Sequence, residues 1–179
     1  MKNNLIITVL SVSLFAFTSC KKQKEFTVTN SSSFTIPSSN SVINLPIEVT
    51  TPETTSNVQT KVDSEGSSSK LIESVILTEL NLTINNPTNG NFNFLNSIEI
   101  YLSSPNQPEI LAAWQYDIAE DNATVLKLNT GNTNLKEYLK ESGLTLRTKV
   151  VMDKVVSYDL AITADQHYFV KVSLKNIFN

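Results

Sequence analysis

The sequence predicts an all-β protein, an immunoglobulin-like or related antiparallel β-sandwich of about seven to nine strands with one or two short helices. Several segments alternate apolar and polar residues with the period of two that a half-buried strand requires. Turn-forming residues separate these segments, and no internal repeat is present, which excludes propellers and solenoids. A chain of 179 residues can bury one self-sufficient core. We therefore expect a single β-sandwich domain over residues 42–179.

The first elements are predicted as extended structure followed by a helix. Residues 20–41 contain FTVT and FTIP among lysine- and serine-rich pieces, which predicts a tether that becomes an early edge strand. In VINLPIEV, residues 42–49, apolar residues alternate as in a half-buried strand. Pro46 places this strand at an edge or a bulge, because proline has no N–H to donate. TSNVQTKVDSEG then predicts a short helix with Ser56 as its cap and Gly66 as its end.

The clearest strand is SVILTELNLTI, in which the even positions face the core and the odd positions face solvent. The inward positions are Ile76, Thr78, Leu80, Leu82 and Ile84. Asn89–Gly90 follows and predicts a hairpin turn, because both residues tolerate positive φ. The returning strand carries Ile98, Ile100 and Leu102 on its buried face, with Glu99 and Tyr101 on the other.

Further strands and one helix are predicted in the second half. ILAAWQYDI and TVLKL read as strands, and TNLKEYLKES reads as a short helix capped by Asn132 or Thr133 and ended by Gly143. The tail, LTLRTKVVM, VVSYDLAIT and HYFVKVSL, predicts three strands in a meander. Tight turns at 153–154 and 165–166 are expected to join them.

The chain begins with the pattern of a secretory signal. Lys2 precedes thirteen uncharged residues, LIITVLSVSLFAF, which match the positive and apolar regions of such a signal. The apolar run is shorter than the ~20 residues that a transmembrane helix needs. We expect residues 1–19 to be a cleaved signal peptide.

The one cysteine of the chain, Cys20, directly follows this segment in FTSC. FTSC resembles the lipobox of bacterial lipoproteins, with Phe17 where leucine is usual. The resemblance implies that Cys20 carries a diacylglyceryl group, that the chain is cut before Cys20, and that palmitate-type acylation of the new amino terminus follows. A single cysteine cannot form an internal disulfide, and lipid attachment would consume a thiol otherwise exposed in an oxidising compartment. The alternatives are an ordinary signal peptide with a chance cysteine and an uncleaved anchor helix.

The residues after Cys20 bear on location. Lys21, Lys22 and Lys24 lie where they could contact an anionic bilayer surface, or where they could simply solvate a linker. By resemblance, Lys21 in place of the aspartate associated with inner-membrane retention favours the outer membrane of a Gram-negative bacterium. The basic KKQKE segment favours the periplasmic face over the cell surface.

Charge and motif content exclude several function classes. The net charge of −3 and the lack of clustered basic residues argue against nucleic-acid binding. Arg147 is the one arginine, so bidentate phosphate clamps are not expected. His167, the one histidine, is expected at the solvated start of a strand, and no G-x-S-x-G motif accompanies it. Each glycine stands alone at an element boundary, so no phosphate-binding loop is expected. We predict no catalytic residue and no cofactor.

Two further groups of residues have a plain structural interpretation. DIAEDN, residues 117–122, could hold calcium if the loop folded back, but it lacks EF-hand spacing and is expected to be a polar turn, so no metal site is predicted. Trp114 and Tyr116 share the predicted inner face with Ile110, Ala112 and Ile118, so core packing is expected for both. Tyr101 is expected to point outward.

These observations favour a lipid-anchored, non-catalytic envelope protein that acts as a binding, adhesion or structural and accessory module. The membrane, through the lipid on Cys20, and an envelope protein, peptide or glycan are the expected partners. Loops 86–93, 103–109 and 119–123 are candidate binding loops if they share one end of the sandwich. The alternative is an envelope hydrolase that uses a pair of carboxylates, which would require a deep pocket and a raised carboxyl pKa.

Overall fold

The structure is a computed structural model that describes residues 23–38, 44–141 and 143–173. The predicted signal peptide, the predicted lipidation site Cys20 and both lysines that follow it lie outside the described residues. Among the described residues, no helix has the length and apolar character needed to cross a membrane.

The described residues form eight strands and two short α-helices, as the sequence predicted for an all-β fold. The strands are β1 Gln23–Ile36, β2 Pro46–Thr50, β3 Ile72–Asn86, β4 Leu95–Ser104, β5 Gln107–Gln115, β6 Val125–Thr130, β7 Thr145–Met152 and β8 Leu160–Ser173. The helices are α1 Val58–Ser64 and α2 Lys136–Leu139, and a 3₁₀ turn covers Ser69–Leu71.

The strands pair in a nested order. β1 pairs with β8, β2 with β7, β3 with β6 and β4 with β5, all antiparallel. The full order is β1-β8-β3-β6-β5-β4-β7-β2, a sheet that curls so that its two halves share one hydrophobic core. The halves β1-β8-β3-β6 and β5-β4-β7-β2 meet at the short β5–β6 ladder. This nested pairing is the topology of a jelly roll, one of the antiparallel β-sandwiches. The predicted fold class is therefore confirmed.

The antiparallel order gives the molecule two distinct ends. Every odd-numbered strand runs one way and every even-numbered strand the other. At one end, here called the terminal end, Gln23 of β1 pairs with Ser173 of β8. At the other, here called the loop end, lie residues 37–38, 44–45, 87–94, 116–124 and 153–159. Hydrogen bonds join these loops, including those from the backbone N–H of Ser38 to the Asp159 carboxylate (2.8 Å) and of Phe92 to the Ala123 carbonyl (3.0 Å).

The predicted edge strands and first helix are confirmed. β1 and β2 lie at the two ends of the strand order, and Pro46 is the first residue of β2. The two extended pieces predicted between residues 20 and 41 form one strand, β1, which pairs with β8 along its whole length. The N-cap residue of α1 is Asn57 rather than the predicted Ser56, whose hydroxyl accepts a hydrogen bond from the N–H of Val58 (3.1 Å). Gly66 follows the end of the helix with φ of 71°.

The predicted hairpin at Asn89–Gly90 is wrong. β3 pairs with β8 and β6, whereas β4 pairs with β5 and β7, so the connection between β3 and β4 crosses from one half of the sandwich to the other. Phe92 and Phe94 are buried within this connection and their rings stack 6.4 Å apart. Apolar burial in the connection favours the crossing over a tight turn, which could not place two rings in the core.

A bulge in β3 corrects the predicted inward set. Leu77 pairs with Tyr168 and Glu79 with His167, so Thr78 is an extra residue that reverses the alternation. Leu80, Leu82 and Ile84 are buried as predicted. Before the bulge the buried positions are Val75 and Leu77, while Ile76 is half-buried and Thr78 is exposed.

The predicted C-terminal meander is also wrong. β8 continues through Asp165 and Gln166 without a turn, and β7 and β8 lie in different halves, joined by the loop 153–159. Gln166 therefore does not lie in the predicted turn at 165–166. It is buried instead, where its amide donates to the Ser32 hydroxyl (2.8 Å) and accepts from the Tyr168 hydroxyl (2.8 Å). These bonds offset the cost of burying the amide.

Helix α2 forms where predicted but begins differently. Leu135, Tyr138 and Leu139 are buried, in agreement with the predicted spacing. The N-cap residue is Leu135, which makes no side-chain capping bond, so the predicted cap at Asn132 or Thr133 is wrong. The side-chain oxygen of Asn134 instead joins the helix start to a strand. It accepts from the N–H of Lys136 (3.1 Å) and also from the N–H of Val75 in β3 (3.0 Å). The second bond comes from a distant strand, so sequence spacing could not select this residue.

Candidate functional site

The large hydrophobic side chains that the described residues expose lie at the loop end. They are 46–59% exposed and lie in residues 44–45, 116–124 and 153–159 or at the start of β6. These residues are Leu45, Tyr116, Val125, Val155 and Tyr158. Exposed apolar groups that gather in one place, rather than being scattered singly, mark interaction surfaces. The loop end is therefore the candidate functional region.

A cavity of about 330 Å³ opens at this end, between residues 89–94 and 154–160. Asn89, Asn91 and Asn93 line one side, and Tyr158 lines the other. Phe94, which is buried, contributes an apolar wall. Among the described residues that line the cavity, none is acidic.

Hydrogen bonds hold the asparagine-lined wall in place. The Asn93 amide donates to the Asn122 side-chain oxygen (2.9 Å), and its own oxygen accepts from the N–H of Asn122 (2.9 Å). The Asn91 oxygen accepts from the N–H of Asn93 (3.1 Å). These bonds connect loop 116–124 to loop 87–94 and so fix the position of the cavity wall.

The acidic residues of DIAEDN do not converge on a common point. Glu120 pairs with Lys154 across the loop end, and the Asp121 carboxylate accepts from the N–H of Ala123 (3.0 Å). Asp117 and Asn122 adopt positive φ, as polar turn residues do. Within residues 23–38, 44–141 and 143–173, no group of three or more His, Cys, Asp or Glu side chains could hold a metal ion.

The structure brings two of the three predicted binding loops together. Loops 86–93 and 119–123 both lie at the loop end, where the N–H of Phe92 bonds to Ala123. Loop 103–109 lies at the terminal end, where the N–H of Asn106 donates to Glu141 (3.0 Å). In place of loop 103–109, the connection 153–159 lies beside these two loops. It lines the cavity together with residues 89–94, and its Lys154 pairs with Glu120. Most of this connection lies in the predicted strand VVSYDLAIT, so the sequence did not identify it as a loop.

Trp114 and Tyr116 were predicted in the core, and this prediction is wrong. Ile100 pairs with Ala113 and Tyr101 with Leu111, so Ala112 is an extra residue that shifts the alternation of β5. Ala113 is buried, and Trp114 pairs with Glu99 on the outer face of the half β5-β4-β7-β2. Tyr101 also lies on this outer face, as predicted.

Glu99 is the centre of a polar network on the outer face. Its carboxylate accepts from the hydroxyls of Tyr116 (2.8 Å) and Tyr101 (2.9 Å) and from the ammonium group of Lys149 (3.2 Å). The hydrogen bond from Tyr116 is the main cause of the lowered pKa of Glu99, because it stabilises the ionised carboxyl. The same bonds to Glu99 raise the pKa of both tyrosines.

Arg147 completes this face. Its guanidinium donates two hydrogen bonds to Glu109 (2.8 and 2.7 Å) and one to Glu48 (2.8 Å), and it lies 4.3 Å from the centre of the Tyr101 ring. The hydrogen bonds to Glu109 are the main cause of the raised pKa of Arg147. Because carboxylates already occupy the planar fork of the guanidinium, Arg147 has a structural role in cross-strand pairing.

The carboxyl groups with shifted pKa values are all shifted downward. The pKa of Glu65 is lowered to about 2, first by the hydrogen bond from Lys24 and then by that from Lys61. The pKa of Glu79 is lowered chiefly by the hydrogen bond from Asn81, and that of Glu109 by Arg147. A general acid needs the opposite shift. His167 lies in the middle of β8 rather than at a strand start, half-buried and opposite Glu79.

No family model matches this chain, and no curated protein matches it in sequence. Among solved structures, it is similar to that of Desmodium yellow mottle tymovirus, with 9% identity over 100% of both chains and a TM-score of 0.27. It is also similar to the empty head of turnip yellow mosaic virus, with 13% identity over 100% of this chain and 94% of that chain and a TM-score of 0.26. Scores this low carry no argument, and the jelly-roll assignment depends on the strand pairing alone.

Proposed function

We propose that this protein is a lipid-anchored, non-catalytic binding module of a Gram-negative cell envelope, held in the outer membrane with its body on the periplasmic side. The observation that carries this proposal is the position of the exposed apolar residues, which gather at the end of the molecule opposite the start of β1. A lipid at Cys20 would therefore leave the candidate binding region facing away from the bilayer.

The length of β1 supports this arrangement. β1 begins at Gln23, three positions after Cys20, and its 14 residues extend for ~46 Å at ~3.3 Å per residue. It ends near Asp159, whose carboxylate accepts from the N–H of Ser38 at the loop end. Lys24 forms an ion pair with Glu65 of the body (2.6 Å). In the proposed arrangement this lysine would also lie near the membrane surface.

The electrostatics support the non-catalytic part of the proposal. Three donors saturate Glu99, and Arg147 holds Glu109, so both carboxylates are stabilised in the ionised form. No observation favours the alternative of an envelope hydrolase, which needs one carboxyl with a raised pKa facing a second across a cleft. Loops on a rigid β-sandwich are a common place for binding residues, although fold alone does not assign a ligand.

Replacing Cys20 by serine tests the anchor. The native chain should sediment with membranes, incorporate labelled palmitate and require detergent for release, whereas Cys20→Ser should do none of these. Ser19→Ala is the matched control, because it keeps a small residue before the cysteine and should leave anchoring intact. Recovery of Cys20→Ser in the membrane fraction, released only by detergent, would contradict lipid anchoring.

Co-purification tests the binding role. The detergent-solubilised full chain should retain a ligand or a stoichiometric envelope partner, and Leu45→Ser, which removes one exposed apolar group from the loop end, should reduce its recovery. One stoichiometric protein partner would identify the chain as an accessory subunit of a larger assembly. Equal recovery with the native chain and with loop-end variants would place the binding surface elsewhere and contradict the proposal.

A further inference from the structure

We propose that the cavity at the loop end, lined by Asn89, Asn91, Asn93 and Tyr158, is a binding site for a neutral glycan. The glycan site depends on the proposed binding function but not on the lipid anchor.

The hydrogen-bonding groups of the cavity suit a ligand rich in hydroxyls. A side-chain amide offers two donors and one acceptor oxygen, and a sugar hydroxyl can both donate and accept. The side chain of Asn93 is bonded to Asn122. The Asn91 oxygen accepts from the backbone, so the Asn91 NH₂ group is the part of this side chain that could donate to a ligand. Asn89 and Tyr158 also line the cavity, and among the described residues neither the Asn89 amide nor the Tyr158 hydroxyl forms a hydrogen bond.

The apolar groups of the cavity complement these amides. Tyr158 is 51% exposed at the rim, and Val155 beside it is also exposed. An aromatic ring with a polar tip presents a flat apolar surface together with a hydroxyl group. The C–H face of a pyranose ring can pack against such a surface while its hydroxyls bond to the amides opposite. A plain hydrocarbon ligand would leave the asparagines unpaired, and this would cost affinity.

Charge and size further define the ligand. Lys154 is the one charged residue in the described lining, and it forms an ion pair with Glu120, so the cavity has no free cation for an acidic sugar. A volume of about 330 Å³ falls in the range of small-ligand sites. A stable protein interface needs about 800 Å² from each partner, more than a concave site of this size offers by itself.

The test is isothermal titration of the detergent-solubilised full chain with neutral tetrasaccharides: maltotetraose, cellotetraose, mannotetraose, xylotetraose and N-acetylchitotetraose. At least one should bind saturably. Tyr158→Ala and Asn89→Ala should each weaken that binding by about tenfold or more, because the first removes the aromatic surface and the second removes an amide that would bond to the ligand. Tyr158→Phe keeps the ring and should retain most of the affinity. Asn106→Ala, an exposed asparagine at the terminal end, is the matched control and should leave the affinity unchanged.

Several outcomes would overturn the inference. These are failure of every tetrasaccharide to bind, an equal loss of affinity in Asn106→Ala, or unchanged affinity in Tyr158→Ala with its circular dichroism spectrum preserved. Membrane fractionation of Cys20→Ser remains a separate measurement. A chain that is anchored and binds a protein partner through Tyr158, but binds no tetrasaccharide, would keep the proposed function and refute the glycan site.

Discussion

Replacing Tyr168 by phenylalanine should destabilise the protein by about 1–3 kcal/mol, the cost of leaving a buried polar group unpaired. Tyr168 is 1% exposed and Gln166 is 3% exposed. The Tyr168 hydroxyl donates to Gln166 Oε1 at 2.8 Å, while the Gln166 NH₂ group donates to Ser32 (2.8 Å). Phenylalanine keeps the ring in place and removes the one donor that the described residues offer to Oε1. Burial also raises the pKa of Tyr168, so its hydroxyl remains protonated at neutral pH.

Urea unfolding, followed by the fluorescence of Trp114, measures this cost. The chain from residue 20 onward, carrying Cys20→Ser in every variant to remove the lipid, is the appropriate sample. With an m value of about 2 kcal/mol/M, a loss of about 2 kcal/mol lowers the midpoint by about 1 M. Tyr116→Phe is the control: it removes a hydroxyl that also donates at 2.8 Å, but on the exposed face. It should cost less than about 1 kcal/mol, because water can replace the lost bond.

A double variant separates the hydrogen bond from packing. Gln166→Leu combined with Tyr168→Phe removes both polar partners, so its destabilisation should be smaller than the sum of the two single changes. Additive effects, or a Tyr168→Phe variant within about 0.5 kcal/mol of the native chain, would refute the view that this buried pair stabilises β8 through mutual satisfaction.

Three further predictions test local features. The pKa of Glu65, lowered from 4.5 to about 2 by the lysine of β1 and then that of α1, implies a stabilising contribution that is present above about pH 4.5 and is lost as pH falls toward 2; an NMR titration midpoint near 4.5 would contradict it. Gly90→Ala should cost about 1–3 kcal/mol, because its Cβ would lie 2.6 Å from a buried side-chain atom, whereas Gly131→Ala, with 3.9 Å of clearance, should be nearly neutral in thermal unfolding. Asn134→Ala should cost about 1–3 kcal/mol, because the N–H of the buried Val75 loses its acceptor, and a larger loss from Asn132→Ala would contradict this role of Asn134.

The strands were predictable where alternation is unbroken. Ile98, Ile100 and Leu102 of β4 are buried as predicted, since nothing interrupts their period of two. Thr78 and Ala112 broke the prediction, because one extra residue in a strand moves every later side chain to the opposite face. A bulge depends on how two strands pair, and this information is not local to either segment.

A polar residue in the core could not be recognised from local sequence either. Gln166 falls in a predicted turn, yet it is buried because Ser32 and Tyr168 satisfy its amide. Ser32 is distant in sequence, so the compensation appears only once β1 has paired with β8. For the same reason the sequence could identify loops 86–93 and 119–123 but could not tell which third segment joins them.

Strand parity explains why the candidate site lies far from the start of β1. In this antiparallel arrangement of eight strands, the start of β1 and the end of β8 lie at one end, and each connection from an odd to the following even strand lies at the other. The connections β3–β4, β5–β6 and β7–β8 therefore meet at the loop end, and they carry Asn89, Tyr116 and Tyr158. An acyl group on Cys20, three positions before the start of β1, would fix the terminal end at the bilayer. The same pairing that disproves the predicted hairpin at Asn89–Gly90 would then direct the cavity away from the membrane, where a glycan could reach it.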